Sequence, residues 1–307
     1  MRFLILSTIL LVSCGHAIER RGKLSQNTKN EITLKAAETA RWVTWCDDYP
    51  SSENCNDGDG LATTLGFLCS VSFAPACNAV SRSVREDGQI LRAPGRRDTS
   101  NTASRDQFLG FMVAQSSGER KWLDVKRFIK KHGVVCTDDT DGRCDLTPVV
   151  WALIGATHKH LGYTRDLTMV FNGLLLGKVL LSQSIAVPTG YQLNLVVNAA
   201  HIAYLTDTET DLTYMAAYNA YLRQQENPWF CYVVFGADDE CAQLALETWP
   251  TEPERKDDWS IQRDTAEQAY RWSQGWEYLF MAALFGVDLN SLEYSGKHHS
   301  KVYPQSR

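Results

Sequence analysis

The sequence predicts an all-α fold: antiparallel helical hairpins in a single domain with local disulfides. Three observations carry that expectation. Apolar residues recur at helical spacing along most of the chain, with Pro or capping residues at segment starts and Gly past segment ends. No run alternates apolar and polar residues as a half-buried strand does, and strand-like scraps such as 231–235 stand alone. Eight cysteines fall in consecutive pairs at separations of 9, 8, 8 and 10 residues, spacings that staple neighbouring elements.

Composition narrows the class further. A chain of 307 residues with 44% apolar and 22% charged residues is neither disordered, collagen-like nor a coiled-coil rod. Its formal charge of −5 argues against a broad phosphate-backbone footprint, so nucleic acid is not an expected partner. Nine Trp, twelve Tyr and eleven Phe suit a large core or a surface that stacks on sugars.

The N-terminus reads as a leader. Met1 and Arg2 precede an apolar run from Phe3 to Val12. That run is far short of the ~20 residues a bilayer span needs, but it fits a signal-peptide core. Gly15-His16-Ala17 has small residues at the −3 and −1 positions, which gives a signal peptide over 1–17. Leu11-Val12-Ser13-Cys14 resembles a bacterial lipobox, which would instead remove 1–13 and lipidate Cys14. Either exit makes the protein extracytoplasmic: secreted, periplasmic or lipid-anchored at the outer surface, touching a membrane only through Cys14.

Without Cys14 the remaining cysteines are Cys46, Cys55, Cys69, Cys77, Cys136, Cys144, Cys231 and Cys241. Of ~105 connectivities, neighbour-with-neighbour bridging suits the spacing best. Each loop of that size stabilises the fold by about 2–3 kcal/mol on the chain-entropy account. No pair is CxxC and no His stands beside one at ligand spacing, so zinc is a poor alternative. An oxidising compartment follows.

Residues 18–29 are polar and read as a flexible lead-in, 30–290 as the all-α domain and 291–307 as a polar tail. Helices are expected near 31–46, 60–71, 74–84, 106–116 and 119–132. Thr147-Pro148 is an N-cap and first turn, and Gly162 lies just past that helix's end. Further helices are expected from Asp166 to about Ser184, from Tyr191 to Leu205, from Asp211 toward Gln225, and near 239–248 and 262–286. Val179 to Thr206 holds no Asp, Glu, Lys or Arg, yet Pro188-Thr189-Gly190 breaks it. It reads as a buried hairpin, with His201 a hydrogen-bonded core histidine. About a dozen short-looped helices around one core can close into a ring.

Three constellations can carry chemistry. Ser104 with Gln107 forms a capping box. The adjoining Arg105 and Asp106 can project into a cleft as anion or sugar clamp and as acid or base. The second is a set of acidic loops: Asp57-Gly58-Asp59-Gly60 after Cys55, the Cys136–Cys144 loop, and Asp238-Asp239-Glu240 before Cys241. Such loops can be solvated turns, can bind Ca²⁺, or can supply paired carboxylates for glycoside hydrolysis. No loop completes an EF-hand: with Asp139 and Asp141-Gly142 in register, the twelfth position is Pro148. The third is His158-Lys159-His160-Leu161-Gly162-Tyr163-Thr164-Arg165 at a helix end. Histidines there suit the helix dipole without any catalytic duty. His160, Tyr163 and Arg165 are also the residue types that a polysaccharide lyase uses as base, proton donor and carboxylate neutraliser. GxSxG, HExxH, Walker, GxGxxG and CxxCH motifs are absent, and nothing calls for a cofactor beyond Ca²⁺.

The stretch from Cys55-Asn56-Asp57-Gly58-Asp59-Gly60 through Arg92-Ala93-Pro94 to Ser104-Arg105-Asp106-Gln107 and Gly110 resembles one in exported, largely uncharacterised all-α bacterial proteins. Those proteins are similar to (α/α)-toroid glycoside hydrolases and polysaccharide lyases. The resemblance covers about residues 55–165, and Trp272-Ser273-Gln274-Gly275-Trp276 looks like a closing helix of such a toroid. It implies an exported enzyme, hydrolase or lyase, acting on a polysaccharide or cell-surface glycan in a carboxylate-lined cleft. Asp57, Asp59, Asp106, His160 and Tyr163 are its candidate catalytic residues, with Arg105 and Arg165 binding substrate. The alternative is a non-enzymatic envelope or secreted binding protein that presents stapled acidic loops, with Ca²⁺ as a ligand.

Overall fold

The computed structural model describes residues 22–51, 61–92, 94, 103–137, 144–163, 211–249, 275–296 and 298–299. Among them are ten α-helices and a small three-stranded sheet. In chain order they are α1 (Gln26–Ala40), β1 (Thr44–Cys46), β2 (Tyr49–Ser51), α2 (Leu61–Ser70), α3 (Ala74–Arg82), α4 (Arg105–Ala114), α5 (Trp122–His132) and α6 (Pro148–His160). α7 (Asp211–Arg223), α8 (Pro228–Phe235), α9 (Asp239–Thr248), α10 (Trp276–Leu284) and β3 (His298–His299) follow. The fold is mostly helical as expected, but the strands make it not purely all-α.

The sheet escaped the sequence pattern because its longer strands have three residues each, all buried, leaving no alternation to read. β1 and β2 form a hairpin across Asp47-Asp48, and Asp47 takes the left-handed conformation (φ 52°) that Asp tolerates in such turns. β3 pairs parallel to β1, with Trp45 opposite His298, so the expected polar tail contributes a strand. The indole of Trp276, first residue of α10, donates to the carbonyls of Thr44 and Ser51, each at 3.1 Å. It thereby binds the hairpin to the last helix. Trp45 packs edge-on against Trp276 and Tyr294 at 5.3 and 5.1 Å. Edge-to-face geometry sets the positive rim of one ring against the negative face of another.

The helices follow from their caps and apolar stripes. α1 begins inside the expected lead-in because Ser25 accepts from the Thr28 N–H, while its own N–H donates to Asp239 Oδ1 at 2.8 Å. That contact holds the Asp239 carboxyl below the usual carboxylate range. Ile32, Ala36 and Ala40 form the buried stripe of α1 at the i, i+4 spacing of a core-facing helix. The run 231–235, strand-like in sequence, lies in α8, where Pro228 occupies the first turn and Asn227 accepts from the Trp229 N–H. Buried almost throughout, α8 has no amphipathic period that could separate it from a strand.

α2 and α4 cross with their backbones touching at Gly66 and Gly110. A Cβ on Gly66 would lie 1.9 Å from the Gly110 carbonyl oxygen, so a side chain here cannot be accommodated. Disulfides join Cys69 to Cys77, Cys136 to Cys144 and Cys231 to Cys241, each pairing as expected. Cys46 is disulfide-bonded as well, and Cys55 lies outside the described residues. No helix among the described residues is long and apolar enough to cross a membrane.

One buried cation is explained by capping. Lys35 is 9% exposed, and its amine donates to the Leu246 carbonyl at 2.5 Å and to the Trp249 carbonyl, satisfying oxygens at the end of α9. The Tyr278 ring lies 4.8 Å below the amine. Burial lowers its pKa from 10.5 to about 8, against an opposing pull from Glu38. Below about pH 8 both folded and unfolded chains hold this proton, so Lys35 contributes no pH dependence there. Between about pH 8 and 10.5 the unfolded chain binds more protons, and stability rises with pH. The stability of wild type minus that of Lys35→Met should therefore rise with pH across that window in urea titrations. A flat difference would contradict the assignment.

Candidate functional site

The site forms where the end of α6 meets the link from α4 to α5. α6 starts on the Thr147 cap and Pro148 and runs to His160. Gly162 then adopts φ +76°, which reverses the chain. Its N–H donates to the Lys159 carbonyl at 3.0 Å, and the Tyr163 N–H donates to the His158 carbonyl at 3.3 Å. This pair of bonds is a Schellman closure, and it brings Tyr163 back over the last turn. The Tyr163 ring consequently stacks on the His158 ring, 5.0 Å between centroids and 19° between planes.

The opposing wall comes from the segment 115–126. Gln115 is fully buried; its amide donates to the Phe111 carbonyl, and its oxygen accepts from the Arg120 N–H at 2.8 Å, fixing the turn between them. That turn presents Glu119, whose Oε2 accepts from the Tyr163 hydroxyl at 2.5 Å. The hydrogen bond to this carboxylate, more than burial, raises the Tyr163 pKa, so the phenol keeps its proton above its ordinary titration range. Trp122 donates its indole N–H to His158 Nδ1 at 3.3 Å, and the Lys126 amine lies 3.0 Å from His158 Nε2. The exposed His160 places Nε2 3.4 Å from the Ser116 carbonyl. Buried on the same two walls are Thr157 Oγ1 and Arg120 Nε, neither with a hydrogen-bond partner among the described residues.

Of the residues expected from sequence, His160 and Tyr163 meet at this site, both against the segment 116–119. Arg105 and Asp106 open α4, and their side chains lie outside the described part. The capping box expected there is present, with the Ser104 N–H donating to Gln107 Oε1 at 2.9 Å. Ten residues of helix separate that end of α4 from Ser116, a distance of about 15 Å. The backbone thus places the Asp106 position and His160 toward opposite ends of α4. Asp57, Asp59, Arg165 and Cys14 lie outside the described residues.

Four participants were missed as site residues: Glu119, Trp122, Lys126 and His158. The usable signal was Gly162, which at C′ of a helix predicts that the next residue folds back onto His158. Nothing local in the sequence pairs Glu119 or Lys126 with residues more than thirty positions away. Among the described residues no group of three or more His, Cys, Asp or Glu converges as a metal site. Compared with protein-family models, curated proteins and solved structures, the chain matches none.

Proposed function

We propose that the protein is an exported glycan-active enzyme, an eliminase of uronate-containing polysaccharides, built as a toroid-like ring of helical hairpins. The meeting of His160, Tyr163, Glu119, His158 and Lys126 at one helix end carries this proposal. The three disulfides among the described residues are compatible with an oxidising compartment outside the cytosol and support export. A leader over 1–17, or a lipid on Cys14, is part of the same proposal.

In this account His160 takes the proton from the carbon beside the uronate carboxylate. The freed electron pair forms a carbon–carbon double bond and breaks the bond to the glycosidic oxygen. That oxygen receives the Tyr163 proton, which the site regains by solvent exchange with the imidazolium. Tyr163 is the protonated hydroxyl at this helix end, and its hydrogen bond to Glu119 holds it in place for the donor role. Lys126 and Arg165 offset the charge that builds on the carboxylate as the proton leaves. The test is a panel of polyuronates, each followed by the ultraviolet absorbance of an unsaturated product. Growth of absorbance on at least one acidic glycan is expected; none on any would overturn the proposal.

A second function is favoured by one observation: Tyr163 with Glu119, and His158 with Trp122, already satisfy each other. A non-enzymatic envelope protein with stapled acidic loops would need no more than that, with Ca²⁺ as its ligand. Calorimetric melting raised by Ca²⁺, with no turnover on the panel, would select it.

A further inference from the structure

We infer that the outer face of α5 is a docking surface for a linear polyanion, specifically an acidic glycan. The glycan identity rests on the function proposed above; the anionic character of the ligand rests on α5 alone. Leu123, Lys126, Arg127, Lys130 and Lys131 stand at i, i+3, i+4, i+7 and i+8, which is one continuous stripe of a helix. The opposite stripe, Trp122, Val125, Phe128 and Ile129, is buried in the core. Four cations therefore share one outward face of a chain whose formal charge is −5.

Their pairing is sparse. Arg127 meets Asp124 at 3.1 Å, whereas Lys130 and Lys131 have no ion pair among the described residues. Lys130, Lys131 and His132 oppose the negative end of the helix dipole, which a single terminal cation would already do. The stripe continues past that need to Lys126, and Lys126 lies 3.0 Å from His158. The basic face thus runs into the candidate site. Lys126 to Lys130 and Arg127 to Lys131 each span one i,i+4 step, about 6 Å, so two rows of charge can meet successive carboxylates of an extended chain.

Other polyanions fit less well. Insertion into an anionic membrane needs an apolar face, and that of α5 is buried apart from Leu123, which is 43% exposed. Single-stranded nucleic acid is held by stacked bases, and the outer stripe of α5 carries no aromatic ring.

The test uses the full chain with its disulfides intact. Binding of fluorescein-labelled polygalacturonate is measured by polarisation at low and high NaCl, beside a size-matched neutral glucan, single-stranded DNA and vesicles of phosphatidylcholine with phosphatidylglycerol. The wild type is expected to bind polygalacturonate, weakening with salt, and to leave the other three probes unbound. Lys130→Glu/Lys131→Glu should lose at least tenfold in affinity while melting normally, and Lys130→Arg/Lys131→Arg should restore it. Unchanged affinity in the Glu variant overturns the docking surface, as does tighter binding to vesicles or DNA. Glycan binding that follows the lysines, with no cleavage of any acidic glycan on the panel, would overturn the eliminase and leave the docking surface standing.

Discussion

Gly66→Ala is expected to destabilise the fold by about 3 kcal/mol or more, at or beyond the top of the usual range for overpacked cores. The new methyl would meet the Gly110 carbonyl at 1.9 Å, a backbone atom that no rotamer change can move aside. Relief requires α2 and α4 to separate, and that would loosen the packing of Phe67, Leu68, Phe108 and Leu109, all buried on these helices. Against a total stability of roughly 5–15 kcal/mol, the loss is a large fraction. Urea unfolding measures it directly, with Leu34→Ala as a control because Leu34 is largely exposed. A Gly66→Ala midpoint as close to wild type as the control's would show that the two helices do not cross in backbone contact.

Tyr163→Phe is the second change of large expected effect. It removes one oxygen and keeps the ring, so stacking on His158 survives while the bond to Glu119 is lost. Stability should change little, because the lost hydrogen bond lies at an exposed site where water replaces it. Under the proposed elimination, turnover should fall by roughly 10²–10⁴-fold, the usual contribution of a positioned proton donor. Glu119→Gln separates charge from geometry, because the amide can still accept from the phenol. Without the carboxylate the Tyr163 pKa drops toward its ordinary value, and the alkaline limb of the activity profile moves to lower pH. A Tyr163→Phe variant that cleaves a responsive polyuronate as fast as wild type would remove the phenol from the proposed chemistry.

The helical framework was legible wherever local physics decides it. Thr147-Pro148 marked the start of α6, Ser104 with Gln107 marked α4, and the paired cysteines marked three staples. What stayed hidden depended on distant partners. The hairpin at Thr44–Ser51 is held by Trp276, more than two hundred residues away, whose indole N–H donates to two of its carbonyls. α8 was ambiguous because burial on all sides erases the periodicity that distinguishes a helix. Part of the site was legible from one stretch of chain: His160 and Tyr163 share one helix end, which a Gly at 162 announces, although His158 beneath Tyr163 was missed. Glu119, Trp122 and Lys126 arrive from another wall, through tertiary packing that no short motif encodes.

The proposed elimination makes a bond-level prediction that hydrolysis does not share. Cleaving a responsive polyuronate in heavy-oxygen water and weighing the fragments tests it most directly. Elimination predicts an unsaturated non-reducing end that carries no heavy oxygen, on a fragment lighter by one water than its hydrolytic counterpart. Saturated fragments alone, together heavier than the parent by one heavy water, would contradict it and return the chemistry to a pair of carboxylates.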